Sequence, residues 1–220
     1  PYLKLEIESA RVSTKFQSKD KDKKLRPLFY LPYHKNNTAR MKLSQPATHQ
    51  GDDVKFFATA TINGCSVYVE GDRNSPKVTH SNASAVNPTS LTDTYAQKLP
   101  KIAAKTAEMD RRYGFLDKGV GTSRVVERPH YITEDAPGIL ALKQRFAAAM
   151  GLNVASVAKY EPFGAIVGCK DRDGWRFYVQ ANGLFTYHPA NGPAHGKSSY
   201  WVISCTEFWP GGGGVARTIR

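Results

Sequence analysis

The sequence predicts an α+β fold in which a mainly antiparallel β-sandwich or curved sheet is flanked by helices. Segments with alternating or β-branched residues, which are typical of strands, concentrate before residue 82 and after residue 154. Apolar residues at helical spacing occupy the region between them. Strands followed by helices and then by further strands indicate an α+β fold rather than a regular alternation of the two.

The length and composition of the chain predict one domain spanning residues 1–220. A chain of 220 residues, of which 40% are hydrophobic, is long enough to bury a core of its own. We expect this single catalytic domain to have four parts: a loop-rich part over residues 10–50, catalytic strands over 54–82, helices over 92–150 and a strand-rich C-terminal part over 154–209.

The first 80 residues contain several predicted strands. The alternation of apolar and polar residues over 3–8 predicts a half-buried strand. The lysine-rich polar stretch 13–26 predicts a loop, and the three prolines within 27–50 predict irregular structure. Three further strands are expected over residues 53–60, 64–70 and 76–80, because turn-forming residues separate the last two and the pattern alternates within each.

Two helices are predicted in the middle of the chain. Thr92 or Ser90 is expected to cap a helix that runs to about Tyr113, although Pro100 would allow a start near Leu99 instead. The second helix is expected to begin after Asp135 as its N-cap, with Pro137 in the first turn, and to end at Met150 before Gly151.

The C-terminal third is predicted to be a set of short strands joined by turns. Residues 171–174, Asp-Arg-Asp-Gly, are a hairpin turn signal. Cys169 and Cys205 could pair with each other, but each lies in an apolar stretch and is expected to be a buried core thiol. The predicted strands cover residues 154–160, 165–170, 175–180, 184–187 and 200–208.

The overall charge and the cysteine spacing exclude several classes of protein. The formal net charge of +12 indicates a basic surface, but no nucleic-acid-binding signature accompanies it, so no nucleic acid is required. No apolar run approaches the length of a bilayer span. The three cysteines form no CxxC pair and the histidines no metal-binding motif, so neither a metal nor a cofactor is expected.

The strongest functional signal is Cys65 followed fifteen residues later by His80, each on its own predicted strand. Adjacent strands can place a thiol beside an imidazole, and such a pair can act as a nucleophile. Gly64 allows a positive φ before the cysteine, and the backbone N–H groups of Cys65 and Ser66 could then face an oxyanion. A buried structural cysteine near an unrelated histidine would have the same spacing.

The imidazole of His80 also needs a group that orients it. Thr59 lies six residues before Cys65, on the strand that leads to the cysteine, so its hydroxyl or carbonyl could reach the ring. Asn82 is a second candidate, either for orientation or for contact with substrate.

This pattern, which covers residues 54–82, resembles the superfamily of CheD-type glutamine deamidases. That group includes the chemoreceptor deamidases, the catalytic domain of cytotoxic necrotizing factor and Burkholderia lethal factor. The resemblance implies that Cys65 is the nucleophile, that His80 is its acid–base partner and that Thr59 orients His80. Asn63 departs from the pattern, because the toxins often have serine there.

The resemblance further implies a toxin or effector that converts a glutamine of a target protein to glutamate. The expected partner is a host protein that carries this glutamine, such as a signalling GTPase or a translation factor. We accordingly expect the protein to be secreted or delivered into a target cell, although the sequence has no recognisable signal peptide. Transglutamination would use the same nucleophile.

Two other functions are compatible with the sequence. Another cysteine hydrolase, such as a papain-like protease or a peptidoglycan amidase, would place Cys65 at the start of a helix, whereas the residues after Cys65 favour a strand. A non-enzymatic binding module would use the basic stretch 15–26 together with exposed aromatic residues.

Overall fold

A computed structural model describes residues 27–43, 48–49, 52–90, 92–116, 121, 123–189, 196–211 and 216–219. The strand predicted over 3–8 and the loop over 13–26 lie outside these residues. The predicted fold class is confirmed, because two mostly antiparallel sheets and two α-helices form an α+β fold.

The described residues form two helices, α1 and α2, and twelve strands. The helices are α1 (Tyr95–Gly114) and α2 (Ala136–Met150). The strands are β1 (Leu28–Leu31), β2 (Thr38–Lys42), β3 (Thr48–His49), β4 (Asp52–Asp53), β5 (Phe56–Thr59), β6 (Ser66–Glu70), β7 (Lys77–Ser81), β8 (Ser123–Val126), β9 (Val157–Asp171), β10 (Gly174–Tyr187), β11 (Lys197–Trp209) and β12 (Arg217–Ile219).

Ten of the strands build two five-stranded sheets whose apolar faces share one core, and β3 and β4 form a separate two-stranded sheet. The first large sheet has the order β1-β5-β9-β10-β11, and the second has the order β12-β8-β6-β7-β2. Among the strand pairs of the described residues, only β1 and β5 run parallel. Alternate residues of each strand point to the shared core because side chains alternate across a sheet. The core cluster joins Phe57, Ile166 and Phe177 of the first sheet to Val67 and Val78 of the second.

Three long strands replace the five short ones expected after residue 154. The gaps between the predicted strands, at residues 161–164 and 181–183, lie within β9 and β10, where Pro162 pairs with Gly183. A Cβ atom on Gly183 would lie 2.6 Å from the ring of Tyr160. This glycine therefore leaves room for an aromatic ring instead of ending the strand. The hairpin turn predicted at residues 171–174 is confirmed between β9 and β10.

The prediction of irregular structure over residues 27–50 was wrong. Strand β1 lies between Pro27 and Pro32, so the prolines mark its ends rather than prevent it. Strand β2 forms an edge of the second sheet, and its Ala39 and Met41 pack against the core. The strands predicted over 53–60, 64–70 and 76–80 are found with shifted ends, as β5, β6 and β7.

Helix α1 begins later than either predicted N-cap. Thr94 is the N-cap, and it exchanges hydrogen bonds with Gln97 in a capping box. Pro100 lies inside the helix, where its missing N–H costs one intrahelical hydrogen bond. The last turns pack on the outer face of the second sheet, where the ring of Tyr113 stacks on Tyr68 with centroids 4.0 Å apart.

Helix α2 has the predicted ends, with Asp135 as N-cap and Gly151 in the left-handed conformation at its C-terminus. It packs on the first sheet, where Phe146 stacks on Phe185 with ring centroids 4.3 Å apart. Neither helix of the described residues has both the length and the apolar composition needed to cross a bilayer.

The expectation that Cys169 and Cys205 are core thiols was wrong. Cys169 is partly exposed and Cys205 is exposed, and both are free thiols. The core side of β9 is formed by residues of the opposite parity, Ile166 and Gly168. The apolar stretches around both cysteines belong to long strands that have one outward face. A short apolar run does not show whether a strand is buried on one face or on both.

Replacement of Gly164 by alanine should destabilise the fold, because a Cβ atom there would lie 2.6 Å from Cδ2 of Tyr131 and 3.0 Å from Cγ1 of Ile62. We expect Gly164→Ala to lower the free energy of unfolding by about 1–3 kcal/mol, as overpacking usually does. Gly114→Ala is the control, because a Cβ atom there would meet no atom within 4 Å. Urea unfolding of both variants tests this, and equal stabilities would contradict it.

Candidate functional site

The candidate site lies where the chain passes from the first sheet to the second. After β5, Ile62 pairs with Gly164 of β9, and the chain then turns through Asn63 and Gly64 into β6. Gly64 has a φ of 82°, so the positive φ predicted for this glycine is confirmed. Such a φ is strained for residues with a Cβ atom. The turn makes Cys65 the first residue to enter the second sheet.

The hydroxyl of Tyr131 holds this turn in place. It accepts hydrogen bonds from the backbone N–H groups of Gly64 at 3.0 Å and Cys65 at 3.1 Å. It donates to the carbonyl oxygen of Cys65 at 2.9 Å. Burial raises the pKa of Tyr131, so the hydroxyl remains protonated. The N–H of Cys65, which we expected to face an oxyanion, therefore already has a partner.

The thiol of Cys65 is buried and receives a hydrogen bond from Asn82. Asn82 Nδ2 lies 3.3 Å from Cys65 Sγ, so Asn82 contacts the predicted nucleophile. Its Oδ1 accepts from the N–H of Asn36 at 2.8 Å and of Ser84 at 3.1 Å. These bonds assign the orientation of the amide, since two donors face its oxygen, and they direct its N–H toward the sulfur.

The pKa of the Cys65 thiol is raised, mainly because burial disfavours the charged thiolate. The hydrogen bond from Asn82 and the positive charge of Arg128 oppose this rise. The resting thiol is therefore neutral, and the groups that favour its ionised form stand beside it.

His80 lies on the same face of the second sheet as Cys65. It is 3% exposed and pairs with Val67 of β6 and Ala39 of β2. Because Ser66 pairs with Ser81, Cys65 is opposite Asn82 and diagonal to His80. Diagonal neighbours across antiparallel strands are usually about 7–8 Å apart, within reach of a long side chain.

Neither ring nitrogen of His80 forms a hydrogen bond of normal geometry within the described residues. Burial lowers its pKa to about 4; a weak hydrogen bond with the backbone of Pro32 opposes this fall, and the nearby His34 adds to it. The ring of Tyr33 packs against it with centroids 6.0 Å apart. His80 is thus a neutral, buried imidazole that is not bonded to Cys65.

Thr59 does not orient His80 directly. Its hydroxyl oxygen accepts a hydrogen bond from the N–H of Ile166 at 3.1 Å, within the first sheet. Thr59 pairs with Leu31 of β1, and the next residue after Leu31 is Pro32, which adjoins His80.

A cleft of about 370 Å³ opens above the turn that holds Cys65. Arg128 closes one side: its guanidinium donates to Asn63 Oδ1 at 2.9 Å and forms an ion pair with Glu134 at 2.6 Å. The cleft is lined by Asn63, Gly64, Asn82, Ser84, Thr89, Ser90, Lys98, Ile102, Lys105, Thr106, Arg128 and Glu134.

The walls of this cleft that are formed by α1 and by residues 128–134 were not predicted from the sequence. Lys98, Lys105 and Arg128 are more than thirty residues away from the turn at Gly64, and no local spacing connects them with Cys65. Within the described residues, no group of three His, Cys, Asp or Glu side chains is arranged to hold a metal ion.

The buried His80 should make the stability of the protein depend on pH. Its pKa is about 4 in the folded protein and about 6.5 in an unfolded chain, so between these values only the unfolded chain is protonated at this residue. The free energy of unfolding should therefore fall as pH drops from about 6.5 to about 4, by up to about 3 kcal/mol from this residue.

Urea unfolding across this pH range measures the effect. His80→Gln should lose that part of the pH dependence, while His188→Gln, at an exposed position, should retain it. An identical pH dependence in the His80→Gln variant and the wild type would contradict the prediction.

Comparisons of the chain with known protein families, with characterised proteins and with solved structures found no match. The interpretation of the site therefore depends on its own geometry. The resemblance of residues 54–82 to the glutamine deamidases stays a prediction.

Proposed function

We propose that this protein is a cysteine hydrolase of the toxin or effector type that deamidates a glutamine of a target protein. Cys65 is the nucleophile and His80 the acid–base partner. One observation carries this proposal: a buried, neutral imidazole that is not bonded to the thiol lies diagonal to a buried thiol, beside a cleft lined by the residues that flank Cys65.

A purely structural role leaves the polar ring of His80 poorly satisfied. Its contact with the backbone of Pro32 falls outside normal hydrogen-bond geometry, and a buried polar group without a good partner costs about 1–3 kcal/mol. A catalytic role is one explanation for such a group. The ring is neutral at physiological pH and can therefore accept a proton. Its low pKa makes it a weak base until the thiolate that forms beside it stabilises the imidazolium.

The proposed reaction has two stages. In the first, a neutral His80 nitrogen takes the proton of the Cys65 thiol while the sulfur attacks the carboxamide carbon of the glutamine. The tetrahedral intermediate collapses, the C–N bond breaks, and the imidazolium returns the proton to the nitrogen, which leaves as ammonia. In the second, His80 takes a proton from water, which hydrolyses the thioester to a glutamate side chain and restores the thiol.

Asn82 and Arg128 favour the ionised sulfur in this proposal. Asn82 Nδ2 is already directed at the sulfur, and hydrogen bonds to the charged form lower a pKa. Arg128 has five N–H groups, of which three are engaged by Glu134 and Asn63. Its remaining N–H groups and Asn82 are the donors proposed for the oxyanion, in place of the Cys65 N–H that bonds to Tyr131.

The local structure favours this function over a papain-like one. Cys65 precedes β6, a buried strand, whereas a papain-like enzyme would place its cysteine at the start of a helix. The identity of the target, with signalling GTPases and translation factors as candidate classes, and delivery into a target cell follow from the resemblance alone and are part of the proposal.

Substitutions at the two proposed catalytic residues test the activity. A eukaryotic cell extract is incubated with the protein, and mass spectrometry identifies glutamines that gain about one dalton through loss of ammonia and gain of water. Cys65→Ser should abolish the modification, and His80→Gln should slow it by about 10²–10⁴-fold, as loss of an acid–base group usually does.

Cys205→Ser is the matched control, because this exposed thiol has no role in the proposal; it should leave the modification unchanged. Circular dichroism of each variant checks that the fold is retained. A folded Cys65→Ser variant that still modifies the extract would overturn the proposed function.

A further inference from the structure

One face of helix α1 is buried near the C-terminus of the helix and borders the cleft near its N-terminus. Its residues recur every three or four positions and so lie on one side. Near the C-terminus this face is buried by Met109 and Tyr113 against the second sheet. In the first three turns the same face borders the cleft, which it lines with Lys98, Ile102, Lys105 and Thr106.

Two lysines on this face have no ion pair with another described residue, although the carboxylate of Asp93 is near enough to act on the charge of both. Within the described residues, neither Lys98 nor Lys105 forms an ion pair or a side-chain hydrogen bond. The lysine between them on the helix, Lys101, is paired with Asp93 at 2.8 Å. Glu134, the only acidic residue of the cleft lining, is engaged by Arg128. The cleft therefore has two positive charges that nothing in its lining neutralises.

The cleft of the two lysines lies next to the proposed nucleophile, although Cys65 itself is not among the lining residues. The cleft is bounded by Gly64 and Asn82, the neighbours of Cys65. The pKa of Lys105 is lowered, first by burial and then by the charges of Arg128 and Lys101, as expected where positive charges are close together. A bound anion would relieve this repulsion and would be held where water is partly excluded.

We propose that Lys98 and Lys105 bind the carboxylate of an acidic residue next to the target glutamine. This inference rests on the proposed function and adds a substrate preference to it: the protein modifies glutamines in acidic segments. Ile102, between the two lysines on the helix face, provides an apolar contact for the stems of the substrate side chains. The net charge of +12 would attract such a segment before it binds.

The test measures binding without turnover, in the full-length Cys65→Ser variant. Two fluorescein-labelled peptides each carry a central glutamine, flanked by glutamates in one and by serines in the other. Fluorescence anisotropy at low salt should show that the glutamate peptide binds about tenfold more tightly, the size expected for a partly exposed charge-assisted contact.

The lysines are then removed in that variant. Lys98→Met together with Lys105→Met should abolish the difference between the two peptides. Lys197→Met, on β11 at an exposed position outside the cleft, is the control and should preserve it. Equal binding of the two peptides, an unchanged preference after loss of both lysines, or tighter binding of a single-stranded RNA oligonucleotide than of the glutamate peptide overturns the proposal.

The outcome is separable from that of the proposed function. Lysine-dependent binding of the acidic peptide by a protein that modifies no glutamine would support the anion site and refute the deamidase. Modification of glutamines in a cell extract without any preference for acidic neighbours would support the deamidase and refute the anion site.

Discussion

The hydroxyl of Tyr131 is the contact on which the site depends. Its three hydrogen bonds to the backbone of Gly64 and Cys65 fix the turn between the two sheets. The ring of Tyr131 fills the space that a side chain at position 164 would occupy, so the same residue connects the turn to the first sheet. Because Arg128 lies three residues earlier, this segment also places a guanidinium beside Asn63.

Beyond this turn, the register of the second sheet determines which residues lie beside Cys65. Cys65 faces Asn82 and is diagonal to His80 because Ser66 pairs with Ser81. Arg112 of α1 donates to the carbonyl oxygens of Asn82 and Asn36, at 2.8 and 2.9 Å, and so holds the segment that directs the Asn82 amide. The thiol and the imidazole are both neutral at rest, because burial raises the pKa of the thiol and lowers that of the imidazole.

Much of this arrangement could be predicted from local patterns. The strands around Cys65 and His80 alternate clearly, Gly64 has the positive φ expected of it, and the Asp135 and Gly151 ends of α2 follow from capping preferences. The long strands β9 and β10 were divided wrongly, because Gly164 and Gly183 resemble breaks although they make room for aromatic rings from elsewhere in the chain.

The cleft walls could not be predicted, because they come from residues distant in sequence. The contact of Tyr131 with Cys65 joins positions 66 residues apart, and nothing near Arg128 or Lys98 indicates their place beside the turn. For Thr59, a local spacing led to a wrong contact. Its distance in sequence from Cys65 predicted a contact with His80, but in the sheet its hydroxyl accepts a hydrogen bond from the N–H of Ile166. Spacing along the chain cannot determine which neighbouring strand a side chain will contact.

Covalent trapping with a glutamine mimic tests whether Cys65 is the nucleophile and whether it depends on His80. An acidic peptide in which a diazoketone analogue replaces glutamine should alkylate the cysteine that attacks the carboxamide, and peptide mapping identifies that residue. One adduct is expected, on the buried Cys65, and it should disappear in the His80→Gln variant. An adduct on the exposed Cys205 alone, or one on Cys65 that is unaffected by the loss of His80, would contradict this expectation.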